Sequence, residues 1–381
     1  MMAIEYRKAR TEERADLVDF GNYVFSQAHQ PHDFKTLLPK VYADCVDPAD
    51  VSTSHYIAVE GGKIRAMVGC PTSRIRYLDE TVRLGLVGTV SVHPYARREG
   101  HMRRLMADMI ADASGRGIDV LALGGQHQRY QHYGFEQAGT SVLFRFGEGS
   151  IRHSFGAIER PDVTFRPLEE GDPALGDCFC LYEAQPVAGG RPRDQFLAIS
   201  RSWTSTLFAV EREGVYLGYL ISSGERISEL VLSDEADADV TLRSWFRRKP
   251  DPFTIQVPVW MGSRIARWIR DCSNYVLESQ EMIRVVNWLP LLKGSLKLRC
   301  FCGPVQDGDT VLELDGKRFH LSVKDGAGSV EETGEPPIRS LAGPEAVRCL
   351  FTHGLAACPA LRWLDCDWLP LPFELPEVER F

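Results

Sequence analysis

In Val90-Ser-Val-His-Pro-Tyr-Ala-Arg-Arg-Glu-Gly-His-Met-Arg-Arg104 an apolar run ends, a short loop follows and a helix opens. Residues 82–92 have the composition of a strand. Beyond the loop, Met102, Leu105, Met106, Met109, Ile110 and Ala113 recur at helical spacing and draw one apolar face, with Gly115 as the expected stop. A helix start presents unpaired N–H groups with the helix dipole behind them, which makes it an anion site. Gly100, expected in the first turn, removes a side chain where an anion must approach the backbone. Arg97, Arg98, Arg103 and Arg104 surround it with positive charge. On charge alone, the same run also fits an ordinary solvated helix end.

That basic cluster is local. The 381 residues carry 44 Lys+Arg against 52 Asp+Glu, a net charge of −8, which argues against a broad nucleic-acid-binding surface. Hydrophobic residues at 44% and charged residues at 25% belong to a globular chain, long enough for two or three domains. No apolar run approaches the roughly 18 residues that a membrane span needs, so no membrane partner is expected. Residues 1–10 lack the apolar core of a signal peptide. The ten cysteines are scattered rather than framed for disulfides, which points to a reducing cytoplasm.

Outward from the loop, the chain divides into three units. In 1–150, residues 4–9 form a strand, and Thr11 is the expected N-cap of a helix through Phe25, with Glu12 and Glu13 in its first turn. Strands at 56–60 and 63–75 flank Gly61-Gly62, a hairpin signal, and 82–92 runs antiparallel to the second of them. A buried strand at 118–123 precedes the aromatic-rich segment 126–135. The polar segment 150–162 marks a boundary. In 151–283, residues 207–220 echo 56–69: strand, acidic turn, strand. A further strand at 227–232 leads not to arginines but to Ser233-Asp-Glu-Ala-Asp-Ala-Asp239, which would repel phosphate. The second unit is therefore expected to copy the first without its anion site. In 284–381, strands at 310–314 and 318–323 flank Asp315-Gly316, residues 343–353 are helical, and three prolines extend the tail to Phe381. The expected fold class is α/β (α+β), with mixed, mostly antiparallel sheets.

Val90-Ser-Val92 followed by Arg97-Arg98-Glu99-Gly100-His101-Met102 resembles the acetyl-CoA motif of the GNAT N-acetyltransferase superfamily, Arg/Gln-x-x-Gly-x-Gly/Ala, with Met102 replacing the last small residue. Tyr130-Gln-His-Tyr-Gly134-Phe135 is similar to that superfamily's Tyr-x-x-x-Gly-Phe landmark. Over nearly its full length the chain resembles the three-domain, enhanced-intracellular-survival (Eis-like) branch, which tolerates a bulkier residue at the third motif position. That branch joins a catalytic GNAT domain, a GNAT-like domain without CoA and a sterol-carrier-protein-like domain. The resemblance implies acetyl-CoA as co-substrate, no metal, and a homo-oligomer, hexameric in many relatives. It implies that backbone groups of Val90 and Val92 pair with the pantetheine arm. Arg97, Arg98, Gly100, Met102 and Arg103 would then surround the pyrophosphate.

Acetyl transfer to an amine needs a neutral nitrogen and a donor to the departing thiolate. The resemblance places Tyr130, four residues before Gly134, at the position of the superfamily's general acid, and a phenol with pKa near 10 is protonated at neutral pH. Tyr133 is the alternative. Residues 82–92 contain no carboxylate. By resemblance the base is the carboxylate of Phe381, which has an ordinary pKa of about 3.5 and is a weak base unless desolvation raises it. Arg380 departs from the acidic residue that amine-acetylating relatives can carry there, so a polycationic acceptor is not implied. Cys178-Phe-Cys180 and Cys300-Phe-Cys302 lack zinc-ligand spacing and are expected as small apolar thiols in strands. His93, His127 and His132 lie near the site in sequence but carry no assigned role. Phe25, His29, Asp33 and Phe34 are candidates to line an acceptor pocket. The function expected is acetylation of a primary amine, on a small molecule (aminoglycoside-like by analogy) or a lysine. The alternatives are transfer of a longer acyl group and a non-catalytic module that binds acyl-CoA or lipid.

Overall fold

The computed structural model describes residues 3–27, 30–44, 46–156, 163–272, 274–352 and 367–381. Three sheets form. The first runs Glu5–Lys8, His55–Glu60, Lys63–Gly69, Glu80–Val92, Val120–Leu123, Glu281–Val285, Glu136–Ala138, with Thr72–Tyr77 bridging Glu80–Val92 to Val187–Gly189. All its pairings are antiparallel except that of Glu80–Val92 with Val120–Leu123. The second runs Thr164–Pro167, Thr206–Arg212, Val215–Ser223, Arg226–Leu232, Phe253–Pro258, Ser141–Phe146, Tyr275–Glu278, again with one parallel pair, Arg226–Leu232 with Phe253–Pro258. The internal echo is thus a repeated topology. The two copies also trade strands: Ser141–Phe146 lies in the second sheet, and Glu281–Val285 completes the first. A smaller sheet, Gly308–Leu314, Lys317–Lys324, Ala327–Glu332 and Arg339–Leu341, packs with helix Trp288–Cys302 onto the core of the first sheet.

Strand alternation sorts the first sheet's residues between two apolar layers. Tyr56, Ala58, Ala66, Val68 and Val87 pack with Leu105, Met106 and Met109 of helix His101–Ala113. Ile57, Val59 and Met67 pack with Leu17, Val18 and Phe20 of helix Arg14–Ser26 on the opposite face. Strand Glu80–Val92 therefore separates two layers, and the site is built on both.

Three local expectations are corrected. The helix start near residue 11 is set by Glu13, whose carboxylate accepts the Arg10 N–H at 2.7 Å and the Arg7 guanidinium at 2.7 Å; the Thr11 hydroxyl turns to Ser52 instead. The strand at 63–75 breaks at Cys70-Pro71, since proline has no N–H for the ladder, giving Lys63–Gly69 and Thr72–Tyr77, which pair with different halves of Glu80–Val92. The cysteine pairs lie on helices, Ala174–Glu183 and Trp288–Cys302, not strands. A spacing of two on a helix turns the thiols about 200° apart, so neither pair converges. Among the described residues no group of three or more His, Cys, Asp or Glu could hold a metal ion, and no helix is long and apolar enough to cross a membrane.

Candidate active site

The parallel pair in the first sheet ends early. Leu84 to Val87 are matched with Val120 to Leu123, and there the pairing stops while strand Glu80–Val92 continues alongside Lys63–Gly69. Thr89 takes a positive φ of 45° where the register shifts, a bulge that re-aims the strand. Backbone groups alternate sides along a strand, and the His93 N–H points to the Arg65 carbonyl at 2.8 Å. Val92 and Val90 therefore direct their N–H and C=O groups to the opposite, open edge. An extended ligand arm can pair there as an added strand.

The open edge leads to the arginine loop. Arg98 and Gly100 both have positive φ, 70° and 83°, which turns the chain sharply into helix His101–Ala113. Gly100 is the residue before the helix rather than inside its first turn. No side chain caps this end, and a Cβ at Gly100 would meet nothing nearer than the Arg103 guanidinium at 3.7 Å. Arg97, Arg98 and Arg103 are exposed, with no ion-pair partner among the described residues; Arg104 is paired with Asp108 at 2.9 Å. Glu99 is directed to the buried His101, whose other ring nitrogen meets the Tyr6 hydroxyl at 2.8 Å. Met102 packs its side chain against the sheet. These features fit the diphosphate of a nucleotide-bearing thioester.

The equivalent place in the second sheet is filled from within. Glu235 holds the guanidinium of the fully buried Arg264 at 2.6 and 2.8 Å, and Asp239 takes Arg267 at 3.0 Å and the Trp268 indole N–H at 2.9 Å. Carboxylates occupy the ground a bound anion would need.

Phe381 reaches the first sheet from the far end of the chain. Gly69 and Gly88 face each other across neighbouring strands, and a Cβ on either would collide with it: 2.9 Å from the ring at Gly69, 2.8 Å from the carboxyl carbon at Gly88. Two opposed glycines thus make the notch that seats this residue. Beneath it lies a buried chain of hydrogen bonds. The Tyr42 hydroxyl is 2.7 Å from His55 Nε2 and 2.9 Å from Thr89 Oγ1, and His55 Nδ1 is 2.6 Å from the Val51 carbonyl. The carbonyl fixes the proton on Nδ1, so Tyr42 donates to Nε2 and Thr89 to Tyr42. Burial lowers the His55 pKa to about 4, keeping the ring neutral. None of Gly69, Gly88, Tyr42, His55 and Thr89 was picked out from sequence; glycines inside two strands were the available signal.

Tyr130 stands on the other face, in the layer of Val87, Leu105 and Phe135, with its ring over Gly125 at the end of strand Val120–Leu123. Burial raises its pKa, so the phenol keeps its proton. Tyr133 is less buried and lies nearer the arginine loop, where Arg103 acts on it. Thus Val90, Val92, Arg97, Arg98, Gly100, Met102 and Arg103 form one continuous edge, Tyr130 lies on one side of it and Phe381 on the other. The histidines do not join it: His93 stacks with Tyr23 at 5.5 Å, His127 lies 3.0 Å from Glu136, and His132 is exposed. Rings run from Phe25 through Phe34 and Tyr42 to Phe381 at centroid spacings of 5.1, 5.9 and 6.0 Å. Asp33 caps the turn Phe34–Leu37, and His29 lies outside the described residues.

Residues 5–138 match the family described as an acetyltransferase (GNAT) domain, whose members transfer acyl groups. Among solved structures, a GCN5-related N-acetyltransferase from Kribbella flavida superposes with a TM-score of 0.66 at 15% identity, covering 98% of this chain and 96% of that one. A probable N-acyltransferase of Enterococcus faecalis V583 gives 0.62 at 13% identity, covering 91% and 89%. Eis1 from Mycobacterium abscessus gives 0.58 at 16% identity, also covering 91% and 89%. At these identities the likeness establishes the fold, a mixed, mostly antiparallel GNAT-like α/β architecture along nearly the whole chain. No curated protein matches the sequence.

Proposed function

We propose that the protein is an acetyl-CoA-dependent N-acetyltransferase of the three-domain, Eis-like kind, whose first unit acetylates a primary amine by direct attack. The observation that carries this is the open edge of strand Glu80–Val92, which leads from the Phe381 notch to a helix start with no side-chain cap, beside Arg97, Arg98 and Arg103, which have no ion-pair partner among the described residues. The co-substrate supplies an activated acetyl thioester. Val90 and Val92 hold its arm, and the amides after Gly100 with Arg97, Arg98 and Arg103 hold its diphosphate. Met102 packs behind that site. Tyr130, protonated because it is buried, donates to the departing sulfur. The Phe381 carboxylate takes the proton from the attacking nitrogen, which approaches from the face of helix Arg14–Ser26.

The acceptor class is a small-molecule amine or a lysine, in a cytoplasmic setting. A sterol-carrier-like third unit and a homo-oligomer rest on the resemblance alone. The test is thiol release from acetyl-CoA against a panel containing an aminoglycoside, a polyamine and a lysine peptide. Amine-dependent release at neutral pH is the expected result. Binding of CoA with no amine-stimulated release would overturn the enzyme and leave a binding module.

A further inference from the structure

We infer that the second unit serves as the holder of the catalytic tail, and that Glu379 is the positioning residue through which it fixes Phe381 in its notch. This rests on the proposed role of Phe381. Glu379 is fully buried, two positions before Phe381. Its carboxylate accepts Arg191 Nε at 2.9 Å and the Tyr182 hydroxyl, and Lys40 Nζ lies 3.5 Å away. Arg191 also holds Glu229. Two cations thus face two carboxylates, which balances the charge around the fully buried Glu379 and Arg191. Where a Cβ on Gly189 would stand, the Glu379 carboxylate already lies, so the clamp is shaped as well as charged.

Tyr182, Arg191 and Glu229 come from the stretch 151–283, whereas Gly189 lies on a strand paired into the first sheet and Lys40 belongs to the first unit. Their burial raises the question of what is being held. Two residues of extended chain reach at most about 7 Å, so fixing Glu379 confines Phe381 to the neighbourhood of Gly69 and Gly88. The turn Glu377–Glu379, closed by the Glu379 N–H to Pro376 O bond at 3.0 Å, removes further slack.

The second sheet supports the same reading from its other end. Its parallel strands are matched only at Arg226 and Ile227, then part as those of the first sheet do. A cavity of about 60 Å³ remains there, lined by Leu230 and Val231 of one strand, Gln256 and Pro258 of the other, and Pro376 and Glu377 of the tail. Arg226 bonds both Gln256 at 2.7 Å and Glu377 at 2.8 Å. With its anion site filled by Glu235, this unit holds the chain's own tail at its gap.

The experiment compares Glu379→Gln, Tyr182→Phe and a Phe381 deletion in the full chain. Each is assayed for kcat, KM for acetyl-CoA, thermal midpoint, and release of Phe381 by carboxypeptidase followed by intact mass. Tyr182→Phe removes one bond to a charged group and no charge, so it remains informative if Glu379→Gln does not fold. The expected result is that Phe381 resists release in the parent and is released in Tyr182→Phe. With it, kcat falls about tenfold or more at unchanged KM for acetyl-CoA, and Glu379→Gln falls further. A merely structural clamp would lower the midpoint without exposing Phe381 or splitting kcat from KM, and that result would overturn the inference. If deleting Phe381 abolishes turnover while both point variants match the parent, the clamp is refuted and the base remains. If the deletion is fully active, the base lies elsewhere and the positioning role falls with it.

Discussion

Gly88→Ala places a methyl group where Phe381 touches strand Glu80–Val92. The added Cβ would overlap the ring carbon Cδ1 of Phe381 most closely and stand 2.8 Å from both its carboxyl carbon and Cγ. Carbon atoms settle at about 3.5–4.0 Å, so Phe381 must retreat by about 1 Å or more. Strand side chains stand perpendicular to the sheet, so the methyl leaves the in-plane edge offered by Val90 and Val92 unobstructed. A displacement of about 1 Å in a reacting group costs on the order of 100-fold in rate. Overpacking costs about 1–3 kcal/mol of stability, a drop of a few degrees in the midpoint of a chain this size. The assay is thiol release at saturating acetyl-CoA, with calorimetry of CoA binding alongside. The expected outcome is a kcat reduced by about two orders of magnitude with nearly unchanged CoA affinity. A variant turning over at the parent rate would show that Phe381 takes no part in the chemistry, and weakened CoA binding would show that the methyl acts on the cofactor edge.

Tyr130→Phe keeps the ring that packs over Gly125 and removes only the proton donor; kcat should fall at least tenfold at unchanged CoA affinity, and an unaltered rate transfers the acid role to another group. Glu374 is fully buried, accepts Gln280 Nε2 on both oxygens at 3.0 Å, and is pushed up to about 8, by burial against the opposing pull of Arg380. Its unfolded value is about 4.3, so between these limits the folded state holds a proton that the unfolded state releases, and its contribution to stability falls as pH rises through the window. Glu374→Gln should flatten the decline of the thermal midpoint between pH 5 and about 8; superimposable pH profiles of parent and variant would refute this.

The readable part of the fold was the local part. Hairpin glycines at 61–62, the Asp315-Gly316 turn and the apolar face of 102–113 depend on neighbours a few residues apart, and they appear where the pattern puts them. The acidic character of segment 233–239 was legible, but not its inward pairing with Arg264 and Arg267. What sequence hid is long-range. The Arg191–Glu379 bond joins residues 188 apart, and nothing local to either marks the other. The strand exchange between the repeats is equally silent, since nothing in the composition of Ser141–Phe146 or Glu281–Val285 says which sheet it enters. The cysteines spaced by two, expected as small apolar thiols in strands, lie on helices, because the residues around them carry the helical pattern. Gly69 and Gly88 were visible as glycines in strands, but not the tail residue that crowds them both.

A crystal structure of the chain soaked with CoA tests the central claim most directly. The account predicts the diphosphate on the amides following Gly100, the arm along Val90 and Val92, and the sulfur between Tyr130 and Phe381. Density for the coenzyme in any other cleft, or an arm running outside the open edge of strand Glu80–Val92, would contradict it.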